Sequence, residues 1–324
     1  VKKIGQVHCL LDCYASILEE DGRFDFRPLY VGVWDAYFEA NENGIFYSSD
    51  SVDPKDWNSK FAMLYGNSCE HWYDETIGKY ENFSILTNLM QGRNTGKASI
   101  ILVDLFYLSY SNQYRSKHTP HYVIVKQREE QEWRIKDPYF GWEGCISHQE
   151  LWESFGFKKF GKGLTIDTSA LRGADEQTIF QLFESEIQLL PGRLLVEVEN
   201  FVRTSVERNG GYVPKAFFAS IQEVGVIAKR YGGYHYALQY VSEVLGNEHA
   251  RTTSTIAELI KGWESLMLTL TRYQIQNKPV DLTLFAAKGK ILHKLELAVR
   301  KELLQAFREW RSSSATAAGE VLRR

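Results

Sequence analysis

Three side chains far apart in the chain have the types that covalent acyl chemistry needs. Cys9 stands at the start of one predicted helix, His121 opens a predicted strand, and Asp137 closes the next strand. At a helix start, N–H groups without intrahelical partners and the positive end of the helix dipole favour the thiolate, which is the nucleophilic form of cysteine. A nucleophile of this kind needs a base, and the base needs a group that orients it. If residues 127–131 form the turn of a hairpin, His121 and Asp137 lie directly opposite across an antiparallel pair, with Cβ atoms roughly 4.5–5.5 Å apart. A carboxylate there accepts one imidazole N–H and leaves the other ring nitrogen for the thiol. His118 precedes His121 in a loop and is the alternative base, or a substrate contact. Cys13 lies one turn beyond Cys9, inside the helix where the N–H groups are already used, and ranks below it. For a developing oxyanion, the Cys9 N–H is one candidate donor and Gln6 a second. Each residue also has an ordinary structural reading, a buried apolar thiol or a satisfied strand-end imidazole, and only their combination points to catalysis. His118 and His121 form an H-x-x-H pair, but further ligands and the Glu of a zinc protease motif are missing, so no metal is expected.

The elements that would position these residues follow from periodicity. Leu10, Leu11, Tyr14, Ile17 and Leu18 share one helical face, and Gly22 supplies a C-terminal stop. The runs Ser99–Leu105, His121–Lys126 and Trp133–Asp137 are β-branched and aromatic and read as three strands, the last two joined as a hairpin. Ser147–Glu150 has the pattern of a capping box ahead of another helix. Residues 30–95 carry weak periodicity, with one short helix over Phe83–Gln91. Beyond Thr168 apolar residues recur at helical spacing over 174–190, 195–208, 213–231, 234–245, 252–277 and 280–311, with Gly and Pro between the runs, including Pro191-Gly192. The expected fold class is α+β: a catalytic domain over residues 1–167 followed by an all-α helical bundle over residues 168–324.

Composition narrows the function classes. With 324 residues, 44% hydrophobic and 24% charged, the chain has the make-up of a folded protein long enough for two domains. A net charge of -3 supplies no field for nucleic acid, and no apolar run of about 18 residues is present to span a bilayer. Four cysteines without C-x-x-C spacing argue against a disulfide framework and for a reducing compartment. Residues Val1–Ile4 lack a secretory pattern, so the cytoplasm is the expected location.

The quoted residues carry a family resemblance. His8-Cys9 with its helix, Val103–Leu108 with Tyr110 and Tyr114, His121–Val125 and Asp137-Pro138 resemble the butirosin-biosynthesis acyltransferase family over roughly residues 6–140. Within that group the layout is most similar to the petrobactin siderophore synthases, which move 3,4-dihydroxybenzoate from an aryl carrier protein onto a polyamine. The resemblance implies a papain-like domain with Cys9 as nucleophile, His121 as base and Asp137 as its orienting acid. It implies an acyl or aryl carrier protein as partner, whose phosphopantetheine arm enters as donor, with no tightly bound cofactor. A polyamine acceptor calls for carboxylates, for which Asp35, Glu39 and Asp104 are available, and Trp34, Tyr37, Phe38, Tyr107 and Tyr110 are candidates for the wall of an aryl pocket. A typically acidic carrier calls for a basic face, and Lys294, Arg300, Lys301 and Arg308 supply one near the C-terminus. The family's Gly-Tyr-Asp type turn after the histidine strand is replaced here by Lys126–Glu129, which loosens the His121/Asp137 register. A papain-like cysteine peptidase using Cys13, or a non-catalytic helical interaction protein, are the rival readings, and homodimer formation stays open.

Overall fold

A computed structural model describes residues 5–47, 54–66, 69–91, 96–128, 131–156, 161–189, 192–214, 217–247 and 249–321. Val1–Ile4, turn residues 129 and 130, and Pro191 therefore lie outside the described residues. The helices of the N-terminal half are α1 (Cys9–Asp21), α2 (Pro54–Tyr65), α3 (Lys79–Gln91) and α4 (His148–Ser154). Those that follow are α5 (Glu176–Glu186), α6 (Arg193–Arg208), α7 (Phe217–Ala228), α8 (Gly233–Leu245), α9 (Ala250–Ile275) and α10 (Leu282–Val321). The first four strands are β1 (Glu39–Asn41), β2 (Gly44–Phe46), β3 (Cys69–His71) and β4 (Lys97–Asp104). The others are β5 (Pro120–Arg128), β6 (Glu132–Asp137), β7 (Trp142–Ser147) and β8 (Gly163–Asp167).

The architecture mixes helix and sheet, with a sheet region toward the N-terminus and a helical region toward the C-terminus. Two compact units form: Val1–Leu29 with Val52–Asp175, and Tyr30–Ser51 with Glu176–Arg324. One break near residue 167 is the sequence expectation, whereas the segment from Tyr30 to Ser51 groups with the helices. Its buried aromatics explain why: Tyr30 stacks on Tyr236 and Trp34 on Tyr234, both with ring centroids 4.2 Å apart.

The first unit is built on an antiparallel sheet in the order β3-β8-β4-β5-β6-β7. Ile101 and Val103 of β4, Val123 and Val125 of β5, and Trp133 and Ile135 of β6 alternate onto one face and bury against Phe83 and Leu86 of α3 and Leu151 of α4. The intervening residues Ile100, Leu102, Tyr122 and Ile124 are buried too, and α1 packs on β5. Two covered faces account for the uninterrupted apolar run of β4, where simple alternation would have marked a half-exposed strand. The three strands expected from sequence are adjacent at the centre; β3, β7 and β8 extend the sheet on both sides of them. Ser147 caps α4, its hydroxyl accepting from Glu150 N at 3.1 Å, as the capping-box pattern anticipates.

The second unit contains α5 to α10 and the β1-β2 ribbon. Among the described residues no helix is long and apolar enough to cross a membrane.

Candidate active site

The chain enters α1 under tight control. Gly5 adopts φ 145°, and a Cβ placed there would lie 2.7 Å from the Pro138 carbonyl oxygen, so only glycine lets the segment approach the 138–139 turn so closely. Val7 N then donates to Asp12 Oδ2 at 3.2 Å, and Asp12, fully buried, ties the lead-in to the first turn of the helix. Cys9 is the first residue of α1 and its side chain is buried, with 4% of the residue exposed. Gly5→Ala should consequently lower the rate of Cys9 chemistry by about a hundredfold, because a displacement near 1 Å is enough for that. Kinetics beside a thermal melt would check it, since a folded variant with normal rates would show that the close approach has no bearing on the site.

Opposite Cys9 stand the ends of β5 and β6. His121 Nε2 lies 2.9 Å from Asp137 Oδ2, with the imidazole 5% and the carboxylate 0% exposed. The pairing differs from the direct opposition expected from sequence. Ile124 pairs with Lys136 and Val125 with Ile135, but beyond a bulge Gln127 pairs with Arg134. Continued toward the site, this register sets Asp137 opposite Val123, and His121 becomes its diagonal neighbour on the same face. An even offset preserves the face, so histidine and aspartate still meet.

Burial works to lower the pKa of His121, but the Asp137 charge and hydrogen bond, with a side-chain hydrogen bond and charge from Cys9, outweigh it and raise the value to about 10. The imidazole thus bonds Asp137 with one nitrogen and Cys9 with its side chain, and it holds its proton across neutral pH. A cysteine side chain bonded to an imidazole is an arrangement that nucleophilic thiol chemistry can use. Tyr139 and Phe140 cover the imidazole at ring distances of 5.4 and 5.1 Å. Asp137 also accepts from Phe140 N at 3.2 Å and from the Tyr110 hydroxyl at 3.0 Å. The covering aromatics escaped the sequence reading, although Asp137-Pro138-Tyr139-Phe140-Gly141 is a turn signal loaded with rings.

Two family domains account for nearly the whole chain: residues 4–171 match the DUF6005 N-terminal domain and residues 177–323 match the DUF6005 C-terminal domain. The chain belongs to the DUF6005 family. It is also similar to petrobactin synthase of Bacillus anthracis, at 26% identity over 312 residues, covering 94% of this chain and 95% of that protein. In this DUF6005 protein Cys9, His121 and Asp137 all fall within the N-terminal domain match.

Several other candidates take different places. Cys13 is fully buried, its thiol donates to the Tyr122 carbonyl at 3.5 Å, and burial with the nearby Asp137 charge pushes its pKa well up. A neutral, hydrogen-bonded thiol is a poor nucleophile, so Cys13→Ala should keep most of the turnover measured in kcat/KM; a loss as large as that of Cys9→Ala would contradict this. Gln6 is exposed and left-handed at φ 64°. His118 Nδ1 lies 2.6 Å from Asp104 Oδ2, while Asp104 Oδ1 accepts from Phe106 N and Thr119 N, both at 3.0 Å. Asp104 is therefore a buried organiser of the loop between β4 and β5, in correction of its expected availability to an amine. His118 stacks on Phe106 at 4.2 Å, and Arg115 lies 5.6 Å from the Tyr107 ring.

The remaining candidates fall in both domain matches. Arg300, expected on a basic docking face, has only 3% of its side chain exposed and bonds Asp35 at 2.6 Å and Glu296 at 2.8 Å. Lys294, Lys301 and Arg308 are exposed and recur every seven residues along α10, whereas Arg300 sits about 100° round the helix from Lys301 and points inward. Asp35 is correspondingly engaged by Arg300, Trp34 is buried on Tyr234, and Glu39 is exposed on β1. Tyr110, expected as a substrate contact, donates its hydroxyl to Asp137. Among the described residues no group of three or more His, Cys, Asp or Glu is placed to hold a metal ion.

Proposed function

We propose that this protein is an acyltransferase of siderophore biosynthesis on a papain-like catalytic domain. It would move 3,4-dihydroxybenzoyl from the phosphopantetheine thioester of an aryl carrier protein, through Cys9, to a primary amine of spermidine or a polyamine–citrate intermediate. The observation that carries the reading is the Cys9–His121–Asp137 arrangement at a helix start. The similarity to petrobactin synthase along nearly the whole of both chains supports the choice of substrates.

The chemistry follows from the protonation state. Cys9 thiolate attacks the thioester carbonyl, and the Cys9 N–H receives the developing oxyanion, with Gln6 as the proposed second donor. As the intermediate collapses, His121 gives its proton to the departing pantetheine thiol and becomes neutral. The amine, having lost its ammonium proton to solvent, then attacks the Cys9 thioester. His121 takes the second nitrogen proton as the amide forms and Cys9 leaves as thiolate, which restores the ion pair. Asp137 holds and stabilises the imidazolium through its hydrogen bond to His121. The exposed cations Lys294, Lys301 and Arg308 are the proposed carrier contacts.

Incubation with 3,4-dihydroxybenzoyl carrier protein and spermidine, followed by intact mass of protein and product, tests the reading. An acyl adduct on Cys9 that disappears on addition of spermidine, with N-acyl spermidine formed in step, is expected. Absence of both adduct and amide across a panel of carrier thioesters and amines would overturn it.

A further inference from the structure

Asp137 has more partners than an orienting carboxylate needs. Oδ2 lies 2.9 Å from His121 Nε2 and accepts from the Tyr110 hydroxyl at 3.0 Å, while Oδ1 accepts from Phe140 N at 3.2 Å. The tyrosine is fixed independently of this bond, because its ring stacks on Trp142 at 3.9 Å and 7°. Trp142 is in turn the register partner of Asp137 across β6 and β7. The sheet therefore aims the hydroxyl at the same oxygen that holds the histidine.

We propose that Tyr110 is a positioning residue: by sharing Asp137 Oδ2 with His121, its hydroxyl limits how tightly the carboxylate holds the imidazolium. The proposal rests on the acyl-transfer reading for its consequence in turnover, while its effect on His121 is readable without any substrate.

Acyl transfer asks two opposite things of one imidazole. Acylation needs it protonated, to supply the leaving thiol, and aminolysis needs it neutral, to receive a proton from the amine. A carboxylate whose charge is drawn wholly toward His121 favours the first state and opposes the second. A second donor on the same oxygen delocalises that charge and weakens the hold. Tyr110 can do so at every working pH, because burial and the adjacent Asp137 charge push its phenol well up and keep it a donor. Tyrosine is thus required for its hydroxyl, and phenylalanine would preserve only the stack.

Other charged and titratable groups face this region from each packed element. On α1 these are Cys9, bonded to His121, with Cys13 and Asp12 nearby; on β6 Lys136 adjoins Asp137; Tyr139 covers the imidazole, and Glu150 of α4 acts on Tyr110. Within this set Asp137 makes the bond through which Tyr110 reaches the histidine.

The test is a titration of His121 by ring-nitrogen NMR in the full-length protein. It is run on the free enzyme and on enzyme whose Cys9 carries a neutral carboxamidomethyl group in place of the acyl group. Tyr110→Phe should move the His121 midpoint upward by about half to one pH unit, the size expected for one lost hydrogen bond. Isosteric 3-fluorotyrosine at position 110, a more acidic phenol and stronger donor, should move it downward. The pH dependence of spermidine aminolysis should follow the same directions. A structural role alone would lower amplitudes and leave the midpoints in place, and that result overturns the proposal. If Tyr110→Phe fails to fold, the fluorotyrosine titration decides alone, an unchanged midpoint again being the negative result. Failure of acyl transfer in the parent protein would remove the aminolysis arm and the functional reading, yet leave the titration decisive for Tyr110.

Discussion

His121→Ala should reduce acyl transfer about as severely as Cys9→Ala, on the order of a thousandfold or more, and the double variant should be scarcely worse than either single one. The reason lies in how the pair is built. In the proposed reaction Cys9 attacks beside an imidazole whose proton the Asp137 charge helps to hold. In that proposed reaction, removing the imidazole takes away the partner of the attacking sulfur and the proton donor for the departing thiol. Without the thiol, the imidazolium has nothing to activate. Each residue is useful only through the other, so the losses do not add. Single-turnover acylation and steady-state kcat/KM measured on the three variants would decide. Losses that multiply in the double variant would show that His121 and Cys9 act on separate steps. Because the His121 pKa is raised to about 10, acylation in the parent should persist through neutral pH and decline as the imidazolium deprotonates near pH 10.

Arg300→Ala should destabilise the second unit by about 3–5 kcal/mol, the usual result of removing one partner from a buried ion pair. Its guanidinium binds Asp35 through two nitrogens, at 2.6 and 2.8 Å, and Glu296 at 2.8 and 3.1 Å, with a further bond to the Gln188 carbonyl at 3.1 Å. Asp35, with 37% of its side chain exposed, can rehydrate, whereas Glu296 is 3% exposed and is left as a buried anion. Burial already holds the Glu296 pKa above the usual carboxylate range even with Arg300 beside it, and losing the cation raises it further. A pKa higher in the folded than in the unfolded state means that the folded state binds the proton more readily. The penalty in Arg300→Ala is therefore greatest at neutral pH and shrinks as pH falls and Glu296 protonates. Urea denaturation at pH 7 and pH 5 would measure both effects. Arg300→Met combined with Glu296→Leu should regain much of the loss, since an apolar pair of similar size needs no charge compensation. Equal stability of Arg300→Ala and the parent at pH 7 would mean that the network contributes nothing to the fold.

Local chemistry in the sequence carried the beginning of the site. A thiol at the head of the apolar stripe Leu10–Leu18, the glycine stop at Gly22, the Ser147 capping box and the strand character of residues 99–105, 121–126 and 133–137 all depend on interactions within a few residues, and these are legible one segment at a time. So were the helices after Thr168, whose period reflects a single buried face each. Three things waited for the tertiary structure. The His121/Asp137 register depended on a bulge in β5, and an extra residue in a strand leaves no mark on its alternating pattern. Residues 30–51 could not be assigned to a unit from their own weak periodicity, because Tyr30 and Trp34 find their stacking partners about 200 positions later. The roles of charged and hydroxyl side chains were decided last. Charge composition counted Arg300 with the exposed cations of α10, and only packing turned it inward onto Glu296 and Asp35; the stack of Tyr110 on Trp142 and its bond to Asp137 likewise came from the fold alone. A polar side chain's function follows from the partners it meets across the fold, and those partners are set by long-range packing that residue type and spacing do not encode.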